Sequence, residues 1–260
     1  MQRVVTAAPL AQVHSSDINT IQDNALGIAQ VLALSISNWN IAGSGTTIAY
    51  NGLPTVVIGG AVLSFPAANG LTVSVAAHSA WSYLYLYNNS GTLTWEQSAT
   101  GPDINSGWTF KTGDPTRMYV TAFYVDGAGI MSPFMKVGHR YLYSRSSVSA
   151  TGWPGHFILT AATFTTISPN AAVPPHVLNV DLYIQMSNNS STTLLEVDLR
   201  VTGAATSYTP IILGQAPAGN LSSMAVSVPM ILGSSHGFDY QLAVSAGSPS
   251  VTADVLGFWE

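Results

Sequence analysis

Between residues 178 and 186 the side chains alternate with a period of two. Leu178, Val180, Leu182, Ile184 and Met186 fall on one side, and Asn179, Asp181, Tyr183 and Gln185 on the other. Successive side chains of a strand point to opposite faces, so this pattern gives a strand an apolar face and a polar one. After the turn residues Asn188-Asn189-Ser190 the pattern returns: Leu195, Val197, Leu199 and Val201 are expected to face in, Glu196, Asp198 and Arg200 out. A chain built this way must cover one face of each strand, and packed antiparallel sheets do that.

The same reading extends over most of the chain. Residues 53–63 form a Val- and Ile-rich segment closed by Gly59-Gly60, and residues 70–77 alternate again. The strongest strand signal is at Trp81, Tyr83, Tyr85 and Tyr87, which share one face, with Leu84 and Leu86 on the other. Asn88-Asn89-Ser90-Gly91 then turns the chain back through Thr92-Leu93-Thr94-Trp95-Glu96. Further strands are expected at 118–125, 130–135, 157–167, 208–213, 222–232, 238–244 and 251–259. Residues 141–154 are Ser-rich and read as a break.

Only the beginning of the chain reads differently. Ser15-Ser16-Asp17 supplies N-cap residues, and Asp17 and Asp23 place negative charge near a helix start. Ile18, Ile21, Ala25, Ile28, Val31 and Leu32 follow at helical spacing and predict a helix over 16–35 with one apolar stripe. That stripe packs either on its own domain or on other subunits. The expected fold class is therefore mainly β: an N-terminal arm and helix (1–37), a β domain (38–150) and a jelly-roll-like β-sandwich (151–260). No β-to-helix alternation supports a parallel α/β fold.

Charge narrows the function. Asp, Glu, Lys and Arg make up 7% of the residues, against about 25% in an ordinary soluble domain. Mean hydropathy is +0.30, yet no apolar run approaches the roughly 20 residues of a spanning helix, so membrane insertion is not expected. The seven basic residues are too sparse to track phosphates, so no nucleic-acid partner is expected. With no cysteine there is neither a disulfide nor a thiolate metal site. Met1 to Pro9 lacks the apolar core of a signal peptide. A surface of Ser, Thr, Asn, Gly and Ala suits either contact with neighbouring subunits or the exterior of a secreted β protein, and the first reading is favoured.

Candidate chemistry is thin. Gly233-Ser234-Ser235-His236-Gly237 matches G-x-S-x-G, but a nucleophile elbow needs a helix after the serine, and a strand is expected there, so the pentapeptide reads as a hairpin loop. His14, His78, His139, His156, His176 and His236 show no paired metal spacing. Glu96 with Asp103, or Glu196 with Asp198, are the acid pairs a glycosidase would need, and nothing favours them. Trp81, Tyr83, Tyr85, Tyr87 and Trp95 are either a sugar-stacking surface or the aromatic half of a core. No catalytic, cofactor or metal residue is assigned, and the chain is expected not to be an enzyme.

Two segments carry a resemblance. Val4-Val5-Thr6-Ala7-Ala8-Pro9 followed by Ser16-Asp17-Ile18-Asn19-Thr20-Ile21-Gln22-Asp23 looks like the docking end of phage appendage proteins. Trp81 to Asn88, Gly91-Thr92-Leu93, Arg117 to Tyr124 and Gly129 to Phe134 are similar to an aromatic hairpin, strand and Pro-Phe return of such proteins, with Thr121 where a smaller residue is usual. Over residues 1–140 the chain thus resembles bacteriophage virion appendage proteins of the tail-fibre, head-fibre or decoration type. The resemblance implies a homotrimer located in the virion, docked by its N-terminal part onto capsid or tail proteins. Its distal β domain would grip the capsid or face the host, where surface polysaccharide is a candidate partner. Capsid decoration and carbohydrate binding or cleavage are the rival functions.

Overall fold

The computed structural model describes residues 40–51, 55–58, 61–64, 70–75, 79–103, 110–144, 153–190, 192–215, 222–233, 235–244 and 249–260. The expected helix, with Ile18, Ile21, Ala25, Ile28, Val31 and Leu32, lies outside the described residues. Within them the protein is mainly β, with every strand pairing antiparallel.

In the first segment β1 (Asn40–Gly45) and β2 (Thr47–Asn51) form a hairpin, and β5 (Gly70–Thr72) extends it. β3 (Thr55–Ile58) and β4 (Ala61–Ser64) pair only with each other, so the expected single segment at 53–63 is two short strands. β6 (Ala80–Asn89) turns into β7 (Thr92–Ser98) through Ser90 and Gly91, both at positive φ, the conformation of a two-residue hairpin loop. The other edge of β6 pairs with β9 (Asp114–Val125), which also carries β8 (Phe110–Lys111). β10 (Met131–Val137) meets β9 at the Val125–Met131 pair and then leads into β11 (Arg140–Tyr143) and β1. From that corner the β6–β9 layer packs over β10 and β11. Lys136 on β10 donates to the Val120 carbonyl on β9 at 2.6 Å.

In the second segment β12 (His156–Ile158), β19 (Ser250–Trp259), β14 (Asn179–Asn188) and β17 (Ser222–Ile231) lie side by side in that order. A second sheet has the order β13 (Thr165–Ile167), β18 (Phe238–Val244), β15 (Leu195–Val201), β16 (Thr209–Leu213). Val180, Leu182, Ile184 and Met186 of one sheet and Leu195, Val197, Leu199, Phe238 and Tyr240 of the other are buried in one core. The period-two pattern of β14 and β15 places these side chains.

Several expectations change. Residues 157–167 are two strands, not one, and they belong to different sheets. The 233–237 loop is not a hairpin, because β17 and β18 also lie in different sheets. Leu178 precedes β14 and is 47% exposed, not inward. Asp181 and Asp198 are buried instead of solvated. Asp198 accepts a hydrogen bond from Gln241, and Arg200 pairs with Asp239 at 3.0 Å over the ring of Phe164, so this outer face is internally bonded. The Ser-rich break begins later than expected, because Arg140–Tyr143 is a strand paired to the end of β19. That pairing carries one thirteen-stranded sheet through strands on both sides of residue 150.

Candidate functional site

Most of the aromatic stripe is core. Trp81, Tyr83 and Tyr85 are buried, while Tyr87 and Trp95 are half-buried. Trp81 meets Tyr124 and Phe258 edge-on at 5.6 and 6.1 Å. Phe258 stacks on Tyr141 at 4.2 Å, and Tyr141 on Phe134 at 4.5 Å. Tyr85 donates to the Thr100 carbonyl at 2.6 Å, and Tyr87 lies beneath the Arg117 guanidinium at 3.9 Å. Rings at such spacing contribute beyond the area they bury.

Beside this aromatic core sits a buried ionic cluster. The Glu260 carboxylate accepts hydrogen bonds from the Lys136 ammonium and the Tyr119 hydroxyl, and His176 Nε2 is 3.7 Å away. Burial alone would raise the Glu260 pKa. Lys136 and His176 override it and hold the carboxyl at about 2. Tyr83 is pushed up to about 12, first by burial and then by Glu260. With the Glu260 side chain 4% exposed, the cluster ties the end of β19 to β9 and β10. Neither partner's sequence position hints at it.

Charges elsewhere are also spent inside the chain. Each Lys and Arg among the described residues pairs with a carboxylate: Lys111 and Arg117 with Glu96, Lys136 with Glu260, Arg140 with Asp181, and Arg200 with Asp239. Glu96 is held below its ordinary pKa by these two cations against the opposing effect of burial. It is engaged as an ion-pair partner, whereas Asp198 accepts a hydrogen bond from the neutral Gln241 side chain at 2.8 Å. His156 holds the buried Asp254 at 2.5 Å, where burial pushes the Asp254 pKa up. His14 and His78 lie outside the described residues. Among the described ones no three His, Asp or Glu side chains converge as metal ligands.

Two surfaces remain. The first is the outer face of the large sheet. Val137 lies opposite Arg140, Arg140 opposite Trp259, Trp259 opposite Asn179, and Asn179 opposite Ile231. Directly opposed residues share a face, so this is one row across five strands. Val137, Trp259 and Ile231 are 44%, 46% and 57% exposed, and Met135 two residues along is 45% exposed. Arg140 lies over the Trp259 ring at 5.3 Å and bonds Asp181 at 3.2 Å, which neutralises the row's one cation.

The second is a cleft of about 830 Å³ where loops of the two segments meet. Its lining includes Trp81, Tyr83 and Tyr124, all three largely buried, together with Asn170, Pro175, Ser235 and His236. The Trp81 indole N–H donates to the Asn170 carbonyl at 2.7 Å and bridges the two sides. His236 Nε2 lies 3.1 and 2.9 Å from the carbonyls of Pro174 and Val177, and Nδ1 is 2.9 Å from Asn170. Burial lowers the His236 pKa. The G-x-S-x-G match thus becomes a loop between strands, and its histidine is engaged by Asn170 and backbone carbonyls. Sequence patterning could not have joined Trp81 to Asn170 or His236, because only the packing of the two segments brings them together.

No family model matches the chain, and no curated protein matches it. Among solved structures it is similar to an exo-β-1,3-galactanase from Phanerochaete chrysosporium, determined with β-1,3-galactotriose. Identity is 14% over 84% of this chain and 56% of the galactanase chain, with a TM-score of 0.20. A likeness at that level carries no functional argument.

Proposed function

We propose that this chain is a non-enzymatic structural protein of a bacteriophage virion, an oligomeric fibre- or spike-like appendage that assembles through its outer sheet face. The observation that carries this reading is the row of Val137, Trp259 and Ile231 across five strands. Aromatic and aliphatic side chains lying in one flat, internally neutralised row suit an interface with a second copy. Ion pairs closed inside the chain leave little charge for a partner to complement, so self-association needs no opposite charge pattern. The strand orders β12-β19-β14-β17 and β13-β18-β15-β16 support a jelly-roll-like sandwich for the second segment. The resemblance of residues 1–140 supports the virion setting, a trimer, and docking by the N-terminal part. Host-receptor binding by the exposed module belongs to the same proposal.

Light scattering at micromolar concentration tests the assembly. The expected mass is a multiple of 27.2 kDa, and Ile231→Arg combined with Trp259→Asp should give the single-chain mass with unchanged strand content. A wild-type monomer would overturn this reading. Labelled cryo-EM of the particle separates an appendage from a capsid decoration protein, the first rival. The second rival is a carbohydrate-binding or carbohydrate-cleaving role, which retention or shortening of host polysaccharide on incubation with the chain would favour.

A further inference from the structure

We propose that the open edge of β17 is an interaction surface for a second copy of this chain, the two β17 strands pairing antiparallel about a two-fold axis at Ala225. β17 ends the large sheet and pairs with β14 alone. One bond fixes its phase. The Leu232 N–H donates to the Leu178 carbonyl at 2.7 Å, in register with the Asn179–Ile231 pair, so the even-numbered residues of the strand bond β14. The odd-numbered ones, Ser223, Ala225, Ser227, Pro229 and Ile231, turn their backbone groups to the open edge. Pro229 agrees with this phase, since a proline sits in a strand where its missing N–H faces outward. Among the described residues nothing bonds those edge groups. Proteins commonly blunt such an edge with Lys or other charges. β17 carries no Asp, Glu, Lys or Arg, and Pro229 protects only the end near Ile231.

The strand itself says which partner fits. Ala225 opposite the partner's Ala225 sets Ser223 opposite the partner's Ser227, and each of these residues offers the ladder one donor and one acceptor. On the outer side only small, uncharged, exposed side chains then meet, and no like charge is opposed. On the inner side Met224 meets the partner's Val226. Both are only half-buried, whereas Val228 and Met230 are buried, so uncovered apolar surface lies in the half of the strand that the ladder would cover. A register moved toward Ile231 brings Pro229 into the ladder and loses a donor, and one moved the other way shortens the ladder, so Pro229 selects the axis at Ala225. A two-fold contact does not close a ring of three, so in the trimer proposed above this edge joins one assembly to the next. A short ladder of small side chains falls below the roughly 1,000 Å² that a stable interface buries. It holds through the number of copies each assembly presents, and a lone chain stays single at micromolar concentration.

The test links cysteines under mild oxidation in the full chain, which has no cysteine of its own. Opposed residues of a bonded pair lie about 5.5 Å apart at Cα, within disulfide reach. Ala225→Cys should therefore link at least about tenfold faster than Ile212→Cys, an exposed residue of β16. A mixture of Ser223→Cys and Ser227→Cys should link as well. Ser227→Cys alone should not, because its counterpart in the partner lies four residues along, about 13 Å away. Adding Ala225→Lys to both members of that mixture opposes two ammonium groups and should slow linking about tenfold or more, with circular dichroism unchanged. Mass spectrometry of the linked species should give two copies. The inference is overturned if Ala225→Cys links no faster than Ile212→Cys, if Ser227→Cys alone links as fast as the mixture, or if Ala225→Lys leaves linking unchanged. A linked species of one copy and a different polypeptide would also overturn it. These cysteines leave Ile231 and Trp259 in place. Outer-face assembly is read by mass and this edge by linking, so either proposal can fail while the other stands.

Discussion

Glu260 is under two opposing pressures. Burial disfavours its charge, while Lys136, His176 and Tyr119 favour it, and the second group prevails. Its pKa in the fold, about 2, lies below the ordinary 4.5, so the ionised form stabilises the native state. That contribution is complete above about pH 4.5 and is lost as pH falls toward 2. The shift corresponds to about 3 kcal/mol. Urea unfolding followed from pH 6 to pH 3 should show this loss in the wild type, and Glu260→Gln should flatten that part of the profile. Lys136→Met leaves a buried carboxylate without its cation and Glu260→Gln a buried ammonium without its anion, so each should cost about 3–5 kcal/mol at pH 7. Stabilities of both variants close to the wild type would show that the cluster is not the clamp described.

At the scale of elements, the junction of β11 with β19 is the least substitutable contact. Gly257 lies opposite Leu142, and a Cβ built on it would land on the Tyr141 carbonyl oxygen. The obstacle is backbone, so a neighbouring side chain cannot relieve it. Gly257→Ala should therefore push β19 away from β11 and cost about 2–4 kcal/mol, read as a lower urea midpoint. Gly138→Ala serves as a comparison. There the side chain would meet open space, and only the positive φ of 59° opposes it, so the loss should be about 1 kcal/mol. If both substitutions cost the same, the close approach at Gly257 is not what constrains the junction.

At the scale of the whole molecule, the two β segments share a sheet, an aromatic core running from Trp81 through Phe258 to Tyr141, and the Glu260 cluster. Each shared part would be exposed if one segment unfolded alone. Thermal unfolding should therefore be a single transition by both far-ultraviolet circular dichroism and tryptophan fluorescence. A chain shortened to residues 1–144 should lack native near-ultraviolet signal, since β11 loses its β19 partner and Lys136 loses Glu260. Two separated transitions, or a folded 1–144 fragment, would refute this coupling.

The alternation of Leu182, Ile184, Leu195, Val197 and Leu199 was enough to specify β structure and the buried face of those strands, because side-chain period is a local property of the backbone. The Ser90-Gly91 turn was legible for the same reason. Local pattern carried no information about partners far along the chain. It could not place β12 and β13 in different sheets, pair Arg140 with Trp259, or bring Lys136 to Glu260. Nor could it tell that Asp181 and Asp198 would be buried against bonding partners, since polarity alone predicts solvent. The aromatic stripe shows both limits together: its strand was plain in the sequence. Whether Trp81 would face a core, a cleft or solvent depended on loops about ninety residues away closing over it. The physical reason is that burial and ligand geometry are long-range properties, created only when separate strands pack.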